Sequence, residues 1–500
     1  MKLLLSILIF LCVKVHAQPL PLTWSEPLAI TNDTSFGSLR PRIAVAENGN
    51  VIVTWGKSDA ISKVYSARKT HMGSFSSPEL ISPPSMNCRV AETDGPSITA
   101  KGNTVYIVYT SWPFATTHSY SRKSTDGGVT WAAPVQTDNF LAGNFAILPH
   151  IAIDHVNNPH VGMVRMTPAG ASPVSGVFCS VNQGVSYVSF VPGSTLTAGN
   201  SQDCSLPFLT TTGSAHVLLF RNNNGGTRQI FLAKSTNNGA TFSSITSVDN
   251  TPWNSATCVP SGPEGIILND TLISVWMSEI AGVKKIRTSA TRVSTMSAFP
   301  SRYIDSLNVP FDTEQDHPVI AGTDEASHAV GNIVGVTWQQ KSATENYHDI
   351  ALAVSITGLA GLNHAQIINT ATTSIMAEKY PAIAYHDSTF HIVYVDSLQN
   401  KMYYVSASLR SGTTAVGENE SVVRRGFIYP NPARHSVALS HESSSAQLSI
   451  YDVLGRLVVV KEMQGDSPAI DISLLPTGLY IYRAVLDRKT IITGKLVKVR

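Results

Sequence analysis

A repeat of about 55 residues constrains the fold of this 500-residue chain more than any other feature of its sequence. Each copy begins with the pattern x-Pro-x-[Ile/Leu]-Ala or a variant of it, passes through a turn, and enters a strand of alternating apolar residues. The prolines of the seven copies lie 53 to 63 residues apart, at Pro41, Pro96, Pro149, Pro207, Pro263, Pro318 and Pro381. Such a period is typical of solenoids and propellers, in which each unit buries its core against its neighbours.

The residues within each copy predict four strands. Apolar residues that alternate with a period of two indicate a second strand, as at 51–55 and 105–109. A third strand is expected at positions such as 230–234, and a shorter element such as 131–135 closes the unit. Four strands in each of several radial repeats is typical of a β-propeller. The expected fold class is therefore all-β, with a seven-bladed β-propeller over residues 18–409 and a six-bladed one as the alternative.

The last copy lacks a fourth strand, and residues 23–30 match the pattern of the element at 130–135. We expect this N-terminal segment to complete the last repeat, because a closed ring removes the sheet edges that promote aggregation. Each proline is expected at the first position of its strand, where no ladder hydrogen bond is lost.

Residues 1–17 have the features of a secretory signal peptide. Lys2 gives a basic start, residues 3–13 are apolar, and Val15-His16-Ala17 offers a cleavage site. The apolar run is too short to span a membrane, and no later run of 18 apolar residues occurs. We therefore expect an exported chain without a transmembrane segment.

The charge balance argues against a nucleic-acid partner, because 36 Lys and Arg residues face 34 Asp and Glu residues and leave no basic surplus. Four cysteines follow the signal peptide: Cys88, Cys179, Cys204 and Cys258. In an exported protein they could form up to two disulfides, in any of three connectivities. Cys204 and Cys258 occupy equivalent positions in adjacent copies, so a disulfide between them is expected.

Three turns between third and fourth strands share a motif. The first, at 124–131, fits the pattern S-x-D-x-G-x-T-W at Ser124, Asp126, Gly128, Thr130 and Trp131. The second, at 235–242, is a close variant with Ser235, Asn237, Gly239, Thr241 and Phe242, and a weaker one spans 180–187. Asp or Asn can cap such a turn through its side chain, and Gly can adopt positive φ. We therefore expect these residues to be structural.

With this motif the chain resembles the sialidase-like β-propellers with Asp-box (BNR) repeats, over roughly residues 22–409. The resemblance implies a fold more than a function. It also gives the reason to keep six blades as an alternative, because the sialidases of this superfamily have six.

A different pattern follows a polar linker at 410–426. Residues 427–500 contain Tyr429-Pro430-Asn431-Pro432, a strand and turn at 448–456, Leu475-Pro476-Thr477-Gly478 and a last strand at 493–500. Short strands separated by Asx and Gly turns predict a small β-sandwich. These motifs, in this order, resemble the C-terminal sorting domain of the type IX secretion system of Bacteroidetes. The resemblance implies export through the periplasm to the cell surface or medium, with that machinery as the partner of residues 427–500.

The sialidase resemblance also implies an active site with three arginines for a carboxylate, a Tyr–Glu nucleophile and an aspartic acid–base group. Arg40, in the run Arg40-Pro41-Arg42-Ile43, is the nearest counterpart of the first arginine, but the order of the motif is altered and Arg42 could point the other way. Arg89, Arg165 and Arg221 are weaker candidates for the other two.

Polar residues beside the first strands should lie near the axis of a propeller. Catalytic residues stay unknown at this stage; if the chain is sialidase-like, the candidates are Arg40, Asp94, Glu264, Asp316 and Tyr380. The candidate ligand-binding residues are Arg40, Arg89, Asp94, Asp203, His317 and Tyr380. Glu92, Glu314 and Glu378 flank the same strands.

We expect a secreted or cell-surface monomer that binds a glycan or a protein at its axial face without catalysis. Two alternatives stay open: a glycoside hydrolase of the exo-α-sialidase type, and an interaction scaffold without a small ligand. No cofactor is expected. No metal site is expected either, because His150, His160, His216 and His317 lack metal-ligand spacing.

Overall fold

The computed structural model describes residues 22–31, 38–70, 73–92, 94–113, 116–140, 143–166, 173–194, 201–202, 206–255, 261–304, 310–323, 332–342, 344, 346–362, 364–368, 377–409, 427–429, 431–440, 445–452, 456–464, 469–486 and 490–499. The predicted signal peptide and the predicted linker lie outside these residues. The chain divides into two compact units, Met1–Ser411 and Gly412–Arg500. The structure is all-β, with a 3₁₀ helix at Gly358–Gly361.

The described residues of the first unit form seven antiparallel sheets, numbered here in chain order. Sheet 1 contains β3 (Ser38–Val45), β4 (Val51–Lys57), β5 (Lys63–Lys69) and β6 (Glu79–Leu80). Sheet 2 contains β7 (Ser97–Lys101), β8 (Thr104–Thr110), β9 (Ser119–Ser124) and β10 (Val135–Gln136). Sheet 3 contains β11 (Phe145–Ile153), β12 (Pro159–Met166), β13 (Val174–Cys179) and β14 (Val191–Pro192).

Sheets 4 and 5 carry additional short strands. Sheet 4 contains β15 (Ser201–Gln202), β16 (Phe208–Thr212), β17 (Ala215–Asn224), β18 (Thr227–Ser235), β19 (Ser244–Ser247) and β20 (Trp253–Asn254). Sheet 5 contains β21 (Glu264–Leu268), β22 (Thr271–Ile280), β23 (Val283–Arg292), β24 (Ser297–Ala298) and β25 (Arg302–Tyr303).

The last two sheets complete the first unit. Sheet 6 contains β26 (Glu314–Gly322), β27 (Val334–Lys341), β28 (Asp349–Ser355) and β29 (Ala365–Ile367). Sheet 7 contains β30 (Glu378–His386), β31 (Thr389–Asp396) and β32 (Lys401–Leu409), together with the N-terminal strands β1 (Leu22–Trp24) and β2 (Leu28–Ala29). Both N-terminal strands pair antiparallel with β32. The prediction that residues 23–30 complete the last repeat is therefore confirmed, although they form two short strands.

The predicted second and third strands at 51–55, 105–109 and 230–234 lie within β4, β8 and β18. The predicted fourth strand at 131–135 is wrong in extent, because β10 begins at Val135 and the residues before it belong to the turn.

Each neighbouring pair of sheets shares its own hydrophobic cluster. Alternation along β4 shows how: Ile52 packs with Ile107 and Tyr109 of sheet 2, whereas Val53 and Trp55 pack with sheet 7. Five further clusters join sheets 2 and 3, 3 and 4, 4 and 5, 5 and 6, and 6 and 7. Because successive side chains of a strand point to opposite faces, each sheet buries both faces, and the radial arrangement is that of a β-propeller.

The motif-bearing turns join neighbouring sheets. Asp126 accepts hydrogen bonds from the backbone N–H groups of Val129 and Thr130, at 3.0 and 2.9 Å, and from the Thr130 hydroxyl at 2.6 Å. The Thr130 hydroxyl is the main reason that the pKa of Asp126 lies well below its usual range. The Asn50 side chain of sheet 1 donates to the carbonyl of Gly127 at 3.0 Å, so this turn of sheet 2 also holds sheet 1.

We expect Asp126→Ala to lower the free energy of unfolding by about 1–2 kcal/mol, because four donors, including the Ser124 hydroxyl at 2.7 Å, lose their acceptor at a partly exposed site. Asp126→Asn is the matched control, since Asn182 and Asn237 occupy the corresponding positions and accept from Ser186 and Thr241 N–H groups, both at 2.9 Å. It should lose less than half as much in urea titrations at pH 7. Equal losses for the two variants would contradict this role.

None of the seven prolines is the first residue of its strand: Pro96, Pro207 and Pro263 directly precede theirs, and the other four lie further in. Pro41, Pro149, Pro318 and Pro381 lie inside their first strands, at a shift of register between the first and second strands. The residue before each proline has positive φ: Arg40 (49°), Leu148 (55°), His317 (52°) and Tyr380 (53°). A β-bulge accommodates proline there because the extra residue needs no ladder donor.

The second unit contains two antiparallel sheets. The smaller has β33 (Phe427–Tyr429), β34 (Ser436–Ser440) and β37 (Ile470–Asp471), and the larger has β36 (Leu457–Gln464), β35 (Ser445–Tyr451), β38 (Gly478–Leu486) and β39 (Thr490–Lys498). Val437 and Leu439 of the smaller sheet share one buried cluster with Leu448, Ile450 and Tyr482 of the larger. This packing is that of a β-sandwich.

Candidate functional site

The first strands of all seven sheets line one channel with a volume of about 200 Å³. Its wall presents polar and apolar surface in similar amounts. Each strand contributes at least one branched aliphatic side chain that is buried, among them Ile43, Ile98, Ile151, Leu209, Ile266, Ile320 and Ile383. Charged and aromatic residues gather at the end where the first strands begin, which we call the entrance.

An ion pair crosses the channel below the entrance. Nη2 of Arg42 in β3 lies 3.6 Å from Oε1 of Glu264 in β21, and both side chains are largely buried. In the part of the chain that the structure describes, sheets 1 and 5 share no hydrophobic cluster, so this contact joins sheets that are not neighbours. Burial raises the pKa of Glu264, while Arg42 and Arg40 oppose that rise. Arg42 therefore points into the channel, contrary to the expectation that it could face away.

Arg40 lies beside this pair and is only 6% exposed. A second cavity at the entrance brings it together with Arg42, Glu264, His317 and Tyr380. Burial, followed by repulsion from Arg42, lowers the pKa of Arg40 to about 9, although Asp94, Glu264 and Tyr380 favour its charged form. We call these five residues and Asp94 the axial cluster.

Asp94 connects the axial cluster to the rim. Its side chain is fully buried, and its Oδ2 lies 2.5 Å from Nε of Arg89 and accepts from the backbone N–H of Leu148 at 3.3 Å. Burial raises the pKa of Asp94, and Arg89 and Arg40 oppose the rise. Asp94 thus has a structural contact with sheet 3 as well as an electrostatic one with the arginines.

Tyr380 and His317 complete the cluster from sheets 7 and 6. Their rings meet edge to face, with centroids 5.1 Å apart. Burial and a hydrogen bond to Glu92 raise the pKa of Tyr380. Burial lowers the pKa of His317 to about 4, despite the neighbouring Asp316 carboxylate. At neutral pH both rings are uncharged, so they offer hydrogen bonds and an aromatic surface.

Asp316 is held from three directions. It accepts from the Ser261 hydroxyl at 2.5 Å, from Nζ of Lys284 at 3.1 Å and from the His317 N–H at 2.8 Å. Burial would raise the pKa of Asp316, but His317, Lys284 and the Ser261 hydrogen bond outweigh it and keep the pKa below its usual value. This carboxylate is therefore ionised, and it already accepts hydrogen bonds from groups of the protein itself.

The sequence candidates divide accordingly. Arg40, Asp94, Glu264, Asp316, His317 and Tyr380 come together at the entrance, with Arg89 at its rim. Arg221 is instead a buried support whose Nη1 donates to the Ser261 carbonyl at 2.9 Å. Arg165 lies over the Phe190 ring in sheet 3.

Other sequence predictions fall elsewhere or cannot be placed. Glu378 is buried and accepts from the Ile350 N–H at 3.1 Å, so it joins sheets 6 and 7. Asp203 and the predicted Cys204–Cys258 disulfide lie outside the described residues, whereas Cys88 and Cys179 are buried free thiols. Among the described residues no group of three or more His, Cys, Asp or Glu side chains is placed to hold a metal ion.

Sequence reasoning missed two residues beside the axial cluster. Lys284 lies at the hairpin end of β23, far in sequence from any repeat start. Trp112 follows β8 and lies over Arg89, with 5.4 Å between the guanidinium carbon and the ring centroid. The available signal for Trp112 was an aromatic residue immediately after a second strand.

The comparisons with known proteins identify the second unit. Residues 427–499 match the family described as the secretion system C-terminal sorting domain. The chain is therefore exported, either to the cell surface or into the medium. No helix among the described residues has the length and apolar character needed to cross a membrane. No curated protein matches the chain.

Solved structures match the chain at low identity. A protein of unknown function from Dyadobacter fermentans has 13% identity and a TM-score of 0.47, over 67% of this chain and 98% of its own. An α-L-arabinanase from Penicillium chrysogenum has 11% identity and a TM-score of 0.40, over 78% and 99%. The Trypanosoma rangeli sialidase has 9% identity and a TM-score of 0.40, over 92% and 85%.

Proposed function

We propose that this exported protein binds a glycan at the entrance of its axial channel. The observation that carries the proposal is the convergence of the buried Arg40 and the largely buried Arg42 with Glu264, His317 and Tyr380, from four different sheets. Buried charges weaken a fold more often than they stabilise it. Shifted pKa values in a cleft are therefore a reason to look for a function.

The chemistry of the cluster suits a ligand rich in hydroxyl groups. Guanidinium groups donate in a fixed fork, carboxylates accept, and the rings of His317 and Tyr380 are neutral. Within the cluster Arg40 and Arg42 balance Asp94 and Glu264, so a neutral or weakly charged sugar fits better than a polyanion. Three of the side chains also follow or occupy positive-φ positions, a form of backbone strain that gathers at functional sites.

Hydrolysis is the second candidate, and one contact favours it. The Tyr380 hydroxyl is hydrogen-bonded to Glu92 next to Arg40. A tyrosine paired with a carboxylate is the nucleophile implied by the sialidase resemblance. Against this, the pKa of Tyr380 is raised, whereas nucleophiles are activated by a lowered pKa or a neighbouring base. Binding is therefore the first proposal.

The number of blades and the type of the turns are part of the proposal as well. We infer that the seven sheets are seven blades of one closed propeller, because each neighbouring pair, including sheets 7 and 1, shares a hydrophobic cluster. We also infer that the turns at 124–131, 180–187 and 235–242 are Asp-boxes of the sialidase-like type. Residues 427–499 are proposed to engage the type IX machinery.

The test uses the mature chain, residues 18–500, on a glycan array and on fluorogenic glycosides that include sialosides. We expect at least one glycan to bind without turnover, and Arg40→Ala to weaken that binding at least tenfold. Arg292→Ala is the matched control, because Arg292 is an exposed arginine at the far end of β23. Thermal melts would confirm that Arg40→Ala still folds.

Tyr380→Phe separates the two candidates, since it removes only the hydroxyl. Turnover that Tyr380→Phe abolishes while binding persists would establish the hydrolase and overturn the binding-only proposal. Binding that is identical in Arg40→Ala and the original chain would place the ligand away from the axial cluster.

A further inference from the structure

Trp112 is a large aromatic residue that the fold leaves 40% exposed at the entrance end of the first unit. It follows β8, and β8 runs towards the end of the channel at which β7 begins. An indole that stays partly exposed in the folded chain offers an apolar, aromatic surface on which a ligand could pack.

The backbone around Trp112 is held in place. Its N–H donates to the Asn87 carbonyl at 2.8 Å, and the Ser111 N–H donates to the His118 carbonyl at 2.9 Å. A β-bridge joins Cys88 to Ser111, and the Arg89 N–H donates to the Thr110 carbonyl at 2.9 Å. The indole is therefore presented by a fixed two-stranded extension of sheet 2.

A row of contacts leads from this ring to the axial cluster. The Arg89 guanidinium carbon lies 5.4 Å from the Trp112 ring centroid, within the range of a cation–π contact. Arg89 pairs with the buried Asp94, and Asp94 interacts electrostatically with Arg40. A ligand group on Trp112 would thus lie beside the site proposed above, with Arg89 between the two.

We propose that Trp112 and Arg89 form a second sugar subsite, which binds the residue next to the one held by the axial cluster. The apolar C–H face of a pyranose would pack on the indole, and the guanidinium of Arg89 would donate to its hydroxyl groups. Binding sites of this kind combine aromatic walls with a few placed polar groups. This inference rests on the proposed glycan binding and names its ligand as an oligosaccharide of at least two units.

The experiment measures the affinity of the mature chain for a length series, from monosaccharide to tetrasaccharide, of whichever glycan the array identifies. Trp112→Ala should weaken binding of the disaccharide and longer members at least tenfold and leave the monosaccharide unchanged. Trp112→Phe should retain most of the affinity, because it keeps an aromatic face. Phe299→Ala, at another exposed aromatic residue, is the control and should change nothing.

The outcomes distinguish a failure of the second subsite from a failure of the proposed glycan binding. If oligosaccharides bind in an Arg40-dependent manner but Trp112→Ala has no effect at any length, the subsite is wrong and the proposed function stands. If Trp112→Ala weakens the monosaccharide equally, Trp112 belongs to the first site and the second subsite is wrong. If no glycan of any length binds, both proposals fall. Arg89→Lys tests the part played by the guanidinium group, since lysine keeps the positive charge beside Asp94 but loses the planar fork of N–H donors.

Discussion

Lowering the pH from 7.5 to 5.5 is expected to remove about 4 kcal/mol from the free energy of unfolding of the first unit through three histidines alone. The cause is three buried histidines that the fold holds neutral. Burial lowers the pKa of His150 and of His216 to about 3, and that of His317 to about 4. Each lies below the value of about 6.5 expected in the unfolded chain.

The sign follows from where protons bind. Between pH 6.5 and the folded-state pKa values, these histidines are protonated in the unfolded chain but neutral in the folded chain, so protonation favours unfolding. Above pH 6.5 the neutral histidines do not lower the free energy of unfolding. Below pH 6.5 each of them lowers it by about 1.4 kcal/mol per pH unit, down to its folded-state pKa. Buried carboxyls such as Glu264, with raised pKa, act in the opposite direction, so one histidine must be isolated by mutation.

His216 is the histidine of choice because it is fully buried between sheets 3 and 4, with its ring centroid 4.2 Å from that of His160. Among the described residues, no side chain is hydrogen-bonded to either of its ring nitrogens. In His216→Leu the loss between pH 7.5 and 5.5 should shrink by about 1.4 kcal/mol. A His216→Leu slope equal to that of the original chain would contradict the assignment.

Urea unfolding followed by tryptophan fluorescence is the suitable measurement. All seven tryptophans lie within residues 24–338, so the signal reports on the first unit alone. Three of them, Trp55, Trp276 and Trp338, are fully buried on second strands and should respond strongly when the sheets separate.

The strands of the first unit could be predicted because each depends on local information. Alternation along β4 assigns Val53 and Trp55 to one face and Ile52 to the other, and the chain needs no distant residue to specify this. The N-terminal strands could be predicted for a similar reason: their pattern repeats that of a known fourth element, and an incomplete last sheet would leave an edge exposed.

The candidate site could be predicted only in part. Residues beside the first strands were expected near the axis, and Arg40, Asp94 and Tyr380 lie together at one end of the channel. The Arg42–Glu264 pair could not be foreseen, because it joins residues in sheets that are not neighbours. The direction of these side chains depends on bulges with positive φ at residues other than glycine, which are uncommon and leave no local signature.

Deletion of residues 427–500 is expected to abolish export past the periplasm, because it removes the whole matched sorting domain. In a Bacteroidetes host with the secretion system, nearly all of the truncated protein should be found in the periplasmic fraction. The amount of protein that is accessible to protease at the cell surface, and the amount in the culture medium, should each be less than a tenth of that seen with the full chain.

The structure supplies two controls for this experiment. The second unit has a hydrophobic cluster of its own, so its deletion removes no residue from the clusters between sheets 1 to 7. Tryptophan fluorescence should therefore show a folded first unit in the retained protein.

Leu448→Asp places a charge in the centre of the hydrophobic cluster of the second unit, where Leu448 is fully buried. The buried charge costs several kcal/mol unless the unit unfolds. This variant should be retained like the deletion, whereas Leu474→Asp, at a residue that is 95% exposed, should be exported normally. Export of the Leu448→Asp protein would show that the machinery reads the sequence of this domain and not its fold, and unchanged export of the deletion would overturn the sorting role itself.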